Sequence, residues 1–438
     1  MRAGRILAVI LLVGGLIGAL VGPREIFTRI LYISLLLICV SWLWTQISLR
    51  GLSINRRARS QRASVGDVFE EYFELVNESR FGKLWVEVSN DTNMQGASGS
   101  RLLTMVGKGQ KRTYIARTWL VRRGGFRLGP TRLVSGDPFG LFRKEKVLPA
   151  ENSLVVLPMI YEISAFISPP GLLPGGQVIR RKAMDVTPHA SGVREYVPGD
   201  PMKRIHWPTT ARRGQLIVKE FEQDPQAEVW LFLDAQAGVH AEKPYETPEM
   251  RADGWLFSQR TEFKMAPSTL EYAISITASL AHYFLRQRRA VGLVTAGRNY
   301  AIIPAERSQR QENKILETLA FIEAETDLSI AGLVAAQAGH LPQGSSAILV
   351  TPTISLELLA TIDDLHRRDL RAVVVLLMTE SFGGPPGSEK LYKSLVARNV
   401  PVCSIYCDAD LALELSSFSS NIGSQDSAWQ RPPLSHLI

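Results

Sequence analysis

The sequence predicts two N-terminal transmembrane helices, an antiparallel β-sandwich and an α/β doubly wound domain, and three observations carry that prediction. Two long apolar runs open the chain, short alternating segments separated by turn residues follow, and from about Ala227 strands and helices take turns. A length of 438 residues leaves room for two or three soluble domains beside the membrane segment. With 45% hydrophobic and 21% charged residues, the composition excludes a disordered or fibrous protein. The formal net charge of +8 has much of its excess near the apolar runs, a placement that favours anionic lipid as partner. Basic and aromatic residues do not interleave as in a nucleic-acid reader, so no nucleic-acid partner is expected.

The first apolar run is Ile6 to Val21 and the second is Ile30 to Ile47, joined by a short turn at Gly22-Pro23-Arg24-Glu25. Each approaches the roughly 20 residues that a bilayer core requires. A cleaved signal peptide is the competing reading of the first run, because Arg2 and Arg5 precede it. A second span after so short a turn favours a helical hairpin over residues 1–50. Arg50, Arg56, Arg57, Arg59 and Arg62 follow the second run, so the positive-inside rule places both flanks and the soluble body in the cytoplasm.

Residues 51–158 are assigned to the sandwich. Leu84, Val86 and Val88 alternate with Trp85, Glu87 and Ser89, and Ile115, Trp119 and Val121 share a phase broken by Arg117. Turn residues recur at Gly66-Asp67, Asn90-Asp91, Gly107-Lys108-Gly109, Gly124-Gly125 and Gly129-Pro130. Asp137-Pro138-Phe139-Gly140-Leu141-Phe142 reads as a tight, packed corner with two aromatic anchors. Asn77-Glu78-Ser79 matches a glycosylation sequon but carries no information in a cytoplasmic body.

Residues 159–226 read as a linker holding the densest charge pattern in the chain: Arg194-Glu195-Tyr196-Val197-Pro198-Gly199-Asp200, then Arg204-Ile205-His206-Trp207, then Ala211-Arg212-Arg213-Gly214. Pro198 and Gly199 suit the centre of a type II turn, and Asp200 can cap a short helix opening at Pro201. Leu216 to Phe221 resumes as a strand. Glu195, Asp200, Arg204 and Arg212 can satisfy one another through bidentate pairs, which makes a structural charge network. No nucleophile stands beside His206, so no catalytic residue is assigned.

These motifs, together with Arg123-Gly124-Gly125-Phe126 and Asp137-Pro138-Phe139-Gly140, resemble the bacterial domain-of-unknown-function 58 family over nearly the whole chain. Arg194, Glu195, Tyr196, Pro198, Gly199, Asp200, Arg204, Trp207 and Arg212 carry the resemblance and are the candidate interaction residues. His206 and Pro208 depart from the pattern, where Asp or Asn and Lys are common. The resemblance implies a MoxR-type AAA ATPase as partner.

It also implies that residues 227–415 form a von Willebrand factor A-like domain. The first strand there is Val229 to Leu233, and Ser268-Thr269-Leu270-Glu271 is a capping box opening a helix. Further strands are expected at Val291–Thr295, Ala347–Thr351, Ala372–Leu377 and Val402–Tyr406, with helices at Gln309–Ala324, Ser355–Arg367 and Ser388–Arg398. The resemblance implies a metal loop after the first strand, but Asp234-Ala235-Gln236-Ala237-Gly238 keeps the Asp and loses both serines. Too few oxygen ligands remain, so this degenerate site at Asp234 is expected to hold no metal. Of the three cysteines, Cys403 and Cys407 lie roughly 13 Å apart on a strand, too far for a disulfide. No phosphate-binding loop, nucleophile elbow or zinc motif occurs, and no cofactor is expected. The Ser-rich residues 416–438 read as a flexible tail.

The sequence therefore points to a membrane-anchored, non-enzymatic interaction protein. Two alternatives stand beside it: an enzyme or anion-binding protein using Glu195, Asp200, Arg204, His206 and Arg212, and a lipid-binding scaffold built on the basic juxtamembrane segment.

Overall fold

A computed structural model describes residues 2–22, 25–97, 99–149, 152–167, 190–197, 202, 205–221, 228–245 and 263–423. Helices α1 (Arg2–Val21) and α2 (Glu25–Ser48) pack against each other as an antiparallel pair. Glycine permits the close approach. A Cβ at Gly15 would lie 3.0 Å from the Leu31 nitrogen, and one at Gly18 would collide with the Phe27 ring. Burial in this pair is inverted relative to a water-soluble helix. Ala8, Ser34, Ser41, Thr45 and Ser48 are buried, while Ile6, Leu7, Ile10, Ile17, Ile33, Leu36 and Leu43 are exposed. Small and hydroxyl residues inside with large apolar ones outside is the arrangement suited to lipid. The hydroxyls turn back to their own helix, with Ser34 donating to Ile30 O at 2.8 Å and Thr45 to Ser41 O at 2.8 Å. Both helices are long and apolar enough to cross a membrane, at mean hydropathies of 2.4 and 2.1.

Ten strands follow: β1 (Leu52–Ala58), β2 (Arg62–Ser64), β3 (Val68–Asn77), β4 (Lys83–Asn90), β5 (Arg101–Val106), β6 (Lys111–Trp119), β7 (Gly124–Leu128), β8 (Thr131–Gly136), β9 (Arg143–Leu148) and β10 (Asn152–Leu157). The antiparallel sheets β1-β3-β6 and β5-β4-β8-β9 face each other across Leu52, Phe73, Leu75, Val86, Val88 and Leu133. A third sheet, β2-β10-β7, has its own core at Val65, Phe69, Leu128, Leu154 and Val156. On β6 the inward phase is Tyr114, Ala116 and Thr118, not that of Ile115, which is 45% exposed. Both phases of this strand carry large side chains, so alternation alone does not choose between them. Stacking of Tyr114 on Phe73 at 4.9 Å does.

Leu49, just past α2, joins the sandwich core. Lys83 donates to Ile47 O at 2.9 Å and Lys144 to Gln46 Oε1 at 2.9 Å, so lysines from the sandwich meet the electronegative end of α2. Asn77, wholly buried, holds the adjoining turns together. Its amide donates to Phe81 O, Val106 O and Gly107 O, and its carbonyl accepts from the Ser79 nitrogen. The predicted packed corner is present at Asp137, whose carboxylate accepts from the nitrogens of Phe139, Leu141 and Phe142 at 2.9, 3.1 and 2.5 Å.

Strands β11 (Ala190–Glu195) and β12 (Ile217–Phe221) form a hairpin around the short helix α3 (Trp207–Arg213). The last unit contains β13 (Val229–Leu233), α4 (Thr269–Arg286), β14 (Val291–Ala296), β15 (Tyr300–Glu306), α5 (Gln309–Ala320), α6 (Ile330–Ala338), β16 (Ser346–Thr351), α7 (Glu357–Arg367), β17 (Arg371–Leu377), α8 (Ser388–Val396), β18 (Val402–Ile405) and α9 (Leu411–Gly423). Its sheet has the order β15-β14-β13-β16-β17-β18, parallel except for β15. Val229, Leu231 and Leu233 face the layer containing α4, α5 and α9, while Trp230 and Phe232 face α6, α7 and α8. Burial on both faces explains why these strands read as continuous apolar runs.

Several expectations shift. Residues 159–167 are no linker, since Ile163, Phe166 and Ile167 are buried in the α/β core. Residues 416–423 continue α9, anchored by the buried Phe418, so the stretch expected to be flexible is helical up to Gly423. Strand β15 and helix α6 lay outside the sequence reading altogether. The capping box expected at Ser268 does not form: its side chain makes no bond to the helix, its nitrogen donates to Ala266 O, and Glu271 pairs with Arg123.

Candidate functional site at the carboxyl edge of the parallel sheet

A doubly wound sheet presents ligands to loops at the carboxyl ends of its strands. Asp234 follows β13 there and is 1% exposed. Its Oδ2 accepts from Thr351 Oγ1 at 2.6 Å, at the end of β16, and its Oδ1 accepts from the Gln236 nitrogen at 3.1 Å. Thr351 Oγ1 in turn accepts from the Thr353 nitrogen at 2.9 Å. His240 closes the other side. Its Nε2 lies 3.1 Å from Asp234 O, so that nitrogen must carry the proton, and its Nδ1 lies 3.0 Å from Thr269 Oγ1. Thr269 Oγ1 also accepts from the Ala241 nitrogen at 2.9 Å, tying the loop to the start of α4.

The electrostatics follow from the burial. Loss of water pushes the Asp234 carboxyl up to about 6, against the bonds from Thr351 and Gln236 that stabilise the charged form. Loss of water pushes His240 down to about 4, and the Arg123 cation adds to that effect. The imidazole is thus neutral near pH 7, in agreement with the proton on Nε2. Among the described residues, no group of three or more His, Cys, Asp or Glu side chains is placed to hold a metal ion. The arrangement is a latch joining the ends of β13, β16 and the first turn of α4.

Arg123, buried at 7% exposure, links this edge to the sandwich. It forms an ion pair with Glu271 of α4, donates to Leu319 O at 3.1 Å and also donates to Ile322 O. Leu319 lies in the last turn of α5 and Ile322 just past it, since the helix stops at Ala320 rather than running on to Ala324. Beside Arg123 a cleft of about 810 Å³ lies between the two bodies, lined in part by Arg122, Glu242, Tyr245 and Glu323.

The sequence-selected motif lies elsewhere. Arg194 and Glu195 end β11, and the Tyr196 nitrogen donates to Leu216 O at 2.9 Å. Trp207 opens α3 and is 62% exposed, and Arg212 is exposed on the same helix. His206 takes the position before α3, with Nδ1 2.7 Å from Thr209 Oγ1. Pro198, Gly199, Asp200, Pro201 and Arg204 lie outside the described residues, and with them the proposed turn, cap and charge network. The described helix begins at Trp207, six residues beyond Pro201. The structure instead brings together Asp234, His240, Thr269 and Thr351. No local signal marks His240, which only the tertiary fold carries to Thr269.

The family model for a protein of unknown function, DUF58, matches residues 192–242, from β11 through the latch residues Asp234 and His240. The uncharacterized protein YeaD of Bacillus subtilis is 25% identical over 237 residues, covering 53% of this chain and 51% of the relative. The chain is thus similar to the DUF58 family over this segment and to YeaD over about half its length. It spans about half the length of that relative. Among solved structures, a CARDB domain from Pyrococcus furiosus in complex with di-metal ions matches at 12% identity and a TM-score of 0.17, over 24% of this chain and 91% of that one. A GH20 exo-β-N-acetylglucosaminidase from Vibrio harveyi matches at 9% identity and a TM-score of 0.16, over 79% and 59%. Scores this low carry no argument about this chain.

Proposed function

We propose that this protein is a membrane-anchored, non-enzymatic interaction protein that works with a MoxR-type AAA ATPase in the assembly or maturation of protein complexes. Both N-terminal helices span the membrane in this reading, with the body on the cytoplasmic side, in keeping with the arginines that flank the pair. The observation that carries the non-enzymatic reading is the latch. At the edge where such a sheet holds a ligand, the Asp234 oxygens and His240 nitrogens are committed to partners within the protein. The α/β body is read as a von Willebrand factor A-like domain whose metal loop has become structural. The ATPase enters through family resemblance, and the exposed Trp207 and Arg212 are the interaction residues assigned to it.

The test is affinity purification of the tagged full chain from gently solubilised membranes, with ATP or a slowly hydrolysed analogue, followed by mass spectrometry. Recovery of an AAA ATPase that is lost with Trp207→Ala and Arg212→Ala supports the proposal. Its repeated absence with intact, folded protein removes the partnership.

A further inference from the structure

The corner between β8 and β9 is bound to the base of the membrane helices, and it carries a side chain that the soluble body does not cover. A Cβ at Gly4 would lie 2.8 Å from Phe139 O, and Arg5 Nε donates to Leu141 O at 2.8 Å. The corner is thus level with the first turn of α1. The apolar span of that helix begins at Gly4 and ends at Val21, 18 residues. At about 1.5 Å per residue this is about 27 Å, close to the hydrocarbon thickness of a bilayer. Gly4 therefore marks one boundary of the hydrocarbon. Trp42 and Trp44, on the antiparallel α2, reach the same end of the pair and are 53% and 41% exposed, as in an interfacial aromatic belt.

Within that layer the backbone of the corner is held by Asp137, whose carboxylate gathers three of its nitrogens, and by the buried Leu141. Phe139, next to the exposed Pro138, is 56% exposed and is the one large apolar side chain of the corner left open. A packed corner that serves only the core has no use for an outward phenyl ring. Arg5 and Arg50 lie exposed at the same end of the helix pair, and the neighbouring Arg143 pairs with Glu87 at 2.5 Å. An apolar ring among cations, continuous with two lipid-facing helices, matches the chemistry of an anionic headgroup layer.

We propose that the Asp137–Phe142 corner is a second membrane contact, with the Phe139 ring inserted among anionic lipid headgroups at the mouth of the helix pair. The inference rests on the membrane-anchored reading. Its consequence is mechanical: three points, α1, α2 and the corner, hold the body at one tilt, where a hairpin alone leaves it free to swing.

The test uses the full chain with Cys39, Cys403 and Cys407 replaced by Ser, and an environment-sensitive nitrobenzoxadiazole label on Phe139→Cys or, as reference, on Leu413→Cys of α9. The protein is placed in phosphatidylcholine–phosphatidylglycerol vesicles containing a spin-labelled lipid. Quenching several-fold stronger at position 139 than at 413, with a blue-shifted emission, is the expected result. Equal quenching at both positions in protein that stays with the vesicles through alkaline carbonate overturns the corner contact and leaves the anchoring reading intact. Release of the protein by carbonate overturns the anchoring reading and this contact together.

Discussion

Replacing His240 by Gln keeps a donor for Asp234 O and an acceptor for Thr269 while removing a titrating group. Asp234 and His240 respond to pH in opposite senses. Burial raises the Asp234 carboxyl from 3.8 to about 6. Its contribution to stability is therefore fully present below pH 3.8 and lost as the pH rises through about 6. Burial lowers His240 from 6.5 to about 4, so its contribution is fully present above pH 6.5 and lost as the pH falls through about 4. At about 1.4 kcal/mol per pKa unit, each shift corresponds to about 3 kcal/mol, with the half-buried His240 contributing the smaller amount. In the native protein the two nearly cancel between pH 7 and pH 4. His240→Gln leaves Asp234 alone, and the latch then gains about 2 kcal/mol on going from pH 7 to pH 4. Asp234→Asn leaves His240 alone, and the latch loses about 2 kcal/mol over the same interval. Amide hydrogen exchange of β13 and β16 in the detergent-solubilised full chain reads this locally, without requiring the whole protein to unfold in one step. Identical pH slopes in the native protein and both variants would refute the reasoning, since they would mean that neither group is titrating in the dry latch.

Three other perturbations follow from single contacts. Arg123→Ala leaves Glu271 and the carbonyls of Leu319 and Ile322 without their cation, and is expected to cost about 3 kcal/mol, read as faster amide exchange at residues 319–323 and a lower melting temperature. Cysteines at Gly15 and Leu31, in a chain with Cys39→Ser, should oxidise to an intramolecular disulfide in native membranes, because a Cβ at Gly15 lies 3.3 Å from that of Leu31. Adding Gly18→Leu should abolish the bond by driving the helices apart. Asn77→Ala leaves three carbonyls of the adjoining turns without their donor and should cost about 2 kcal/mol, measured by thermal unfolding. A change within a few tenths of a kcal/mol would mean that water replaces the amide.

The helices were legible because Ile6 to Val21 holds only apolar and small residues, and Ile30 to Ile47 is broken only by Ser34, Ser41, Thr45 and Gln46. The central strands of the α/β unit were legible for a related reason: buried on both faces, they carry no alternation to misread. Where one face meets solvent, the reading weakened. On β6, Ile115 advertises an inward phase that Tyr114 in fact occupies. Strand β15 has every second residue exposed and a proline at 304, so it offers neither a run nor a clean alternation. The Ser-rich beginning of the supposed tail masks a helix held by one buried ring, Phe418.

The candidate site divides in the same way. Asp234 was visible as the residue ending the first strand, and Arg123 as part of a family motif, but their roles were not. Asn77 looked like an uninformative sequon and proved to be a wholly buried staple. The sequence by itself determined what local periodicity can encode: two apolar spans, a strand-rich segment and an alternating α/β segment. Only the tertiary structure decided that His240 meets Asp234 and Thr269, that Glu271 serves Arg123 instead of its own helix, and that Phe139 stands beside Gly4. Those pairings join residues 135 or 148 positions apart as readily as six, and hydrogen bonding and desolvation depend on distance in space, which no spacing along the chain records.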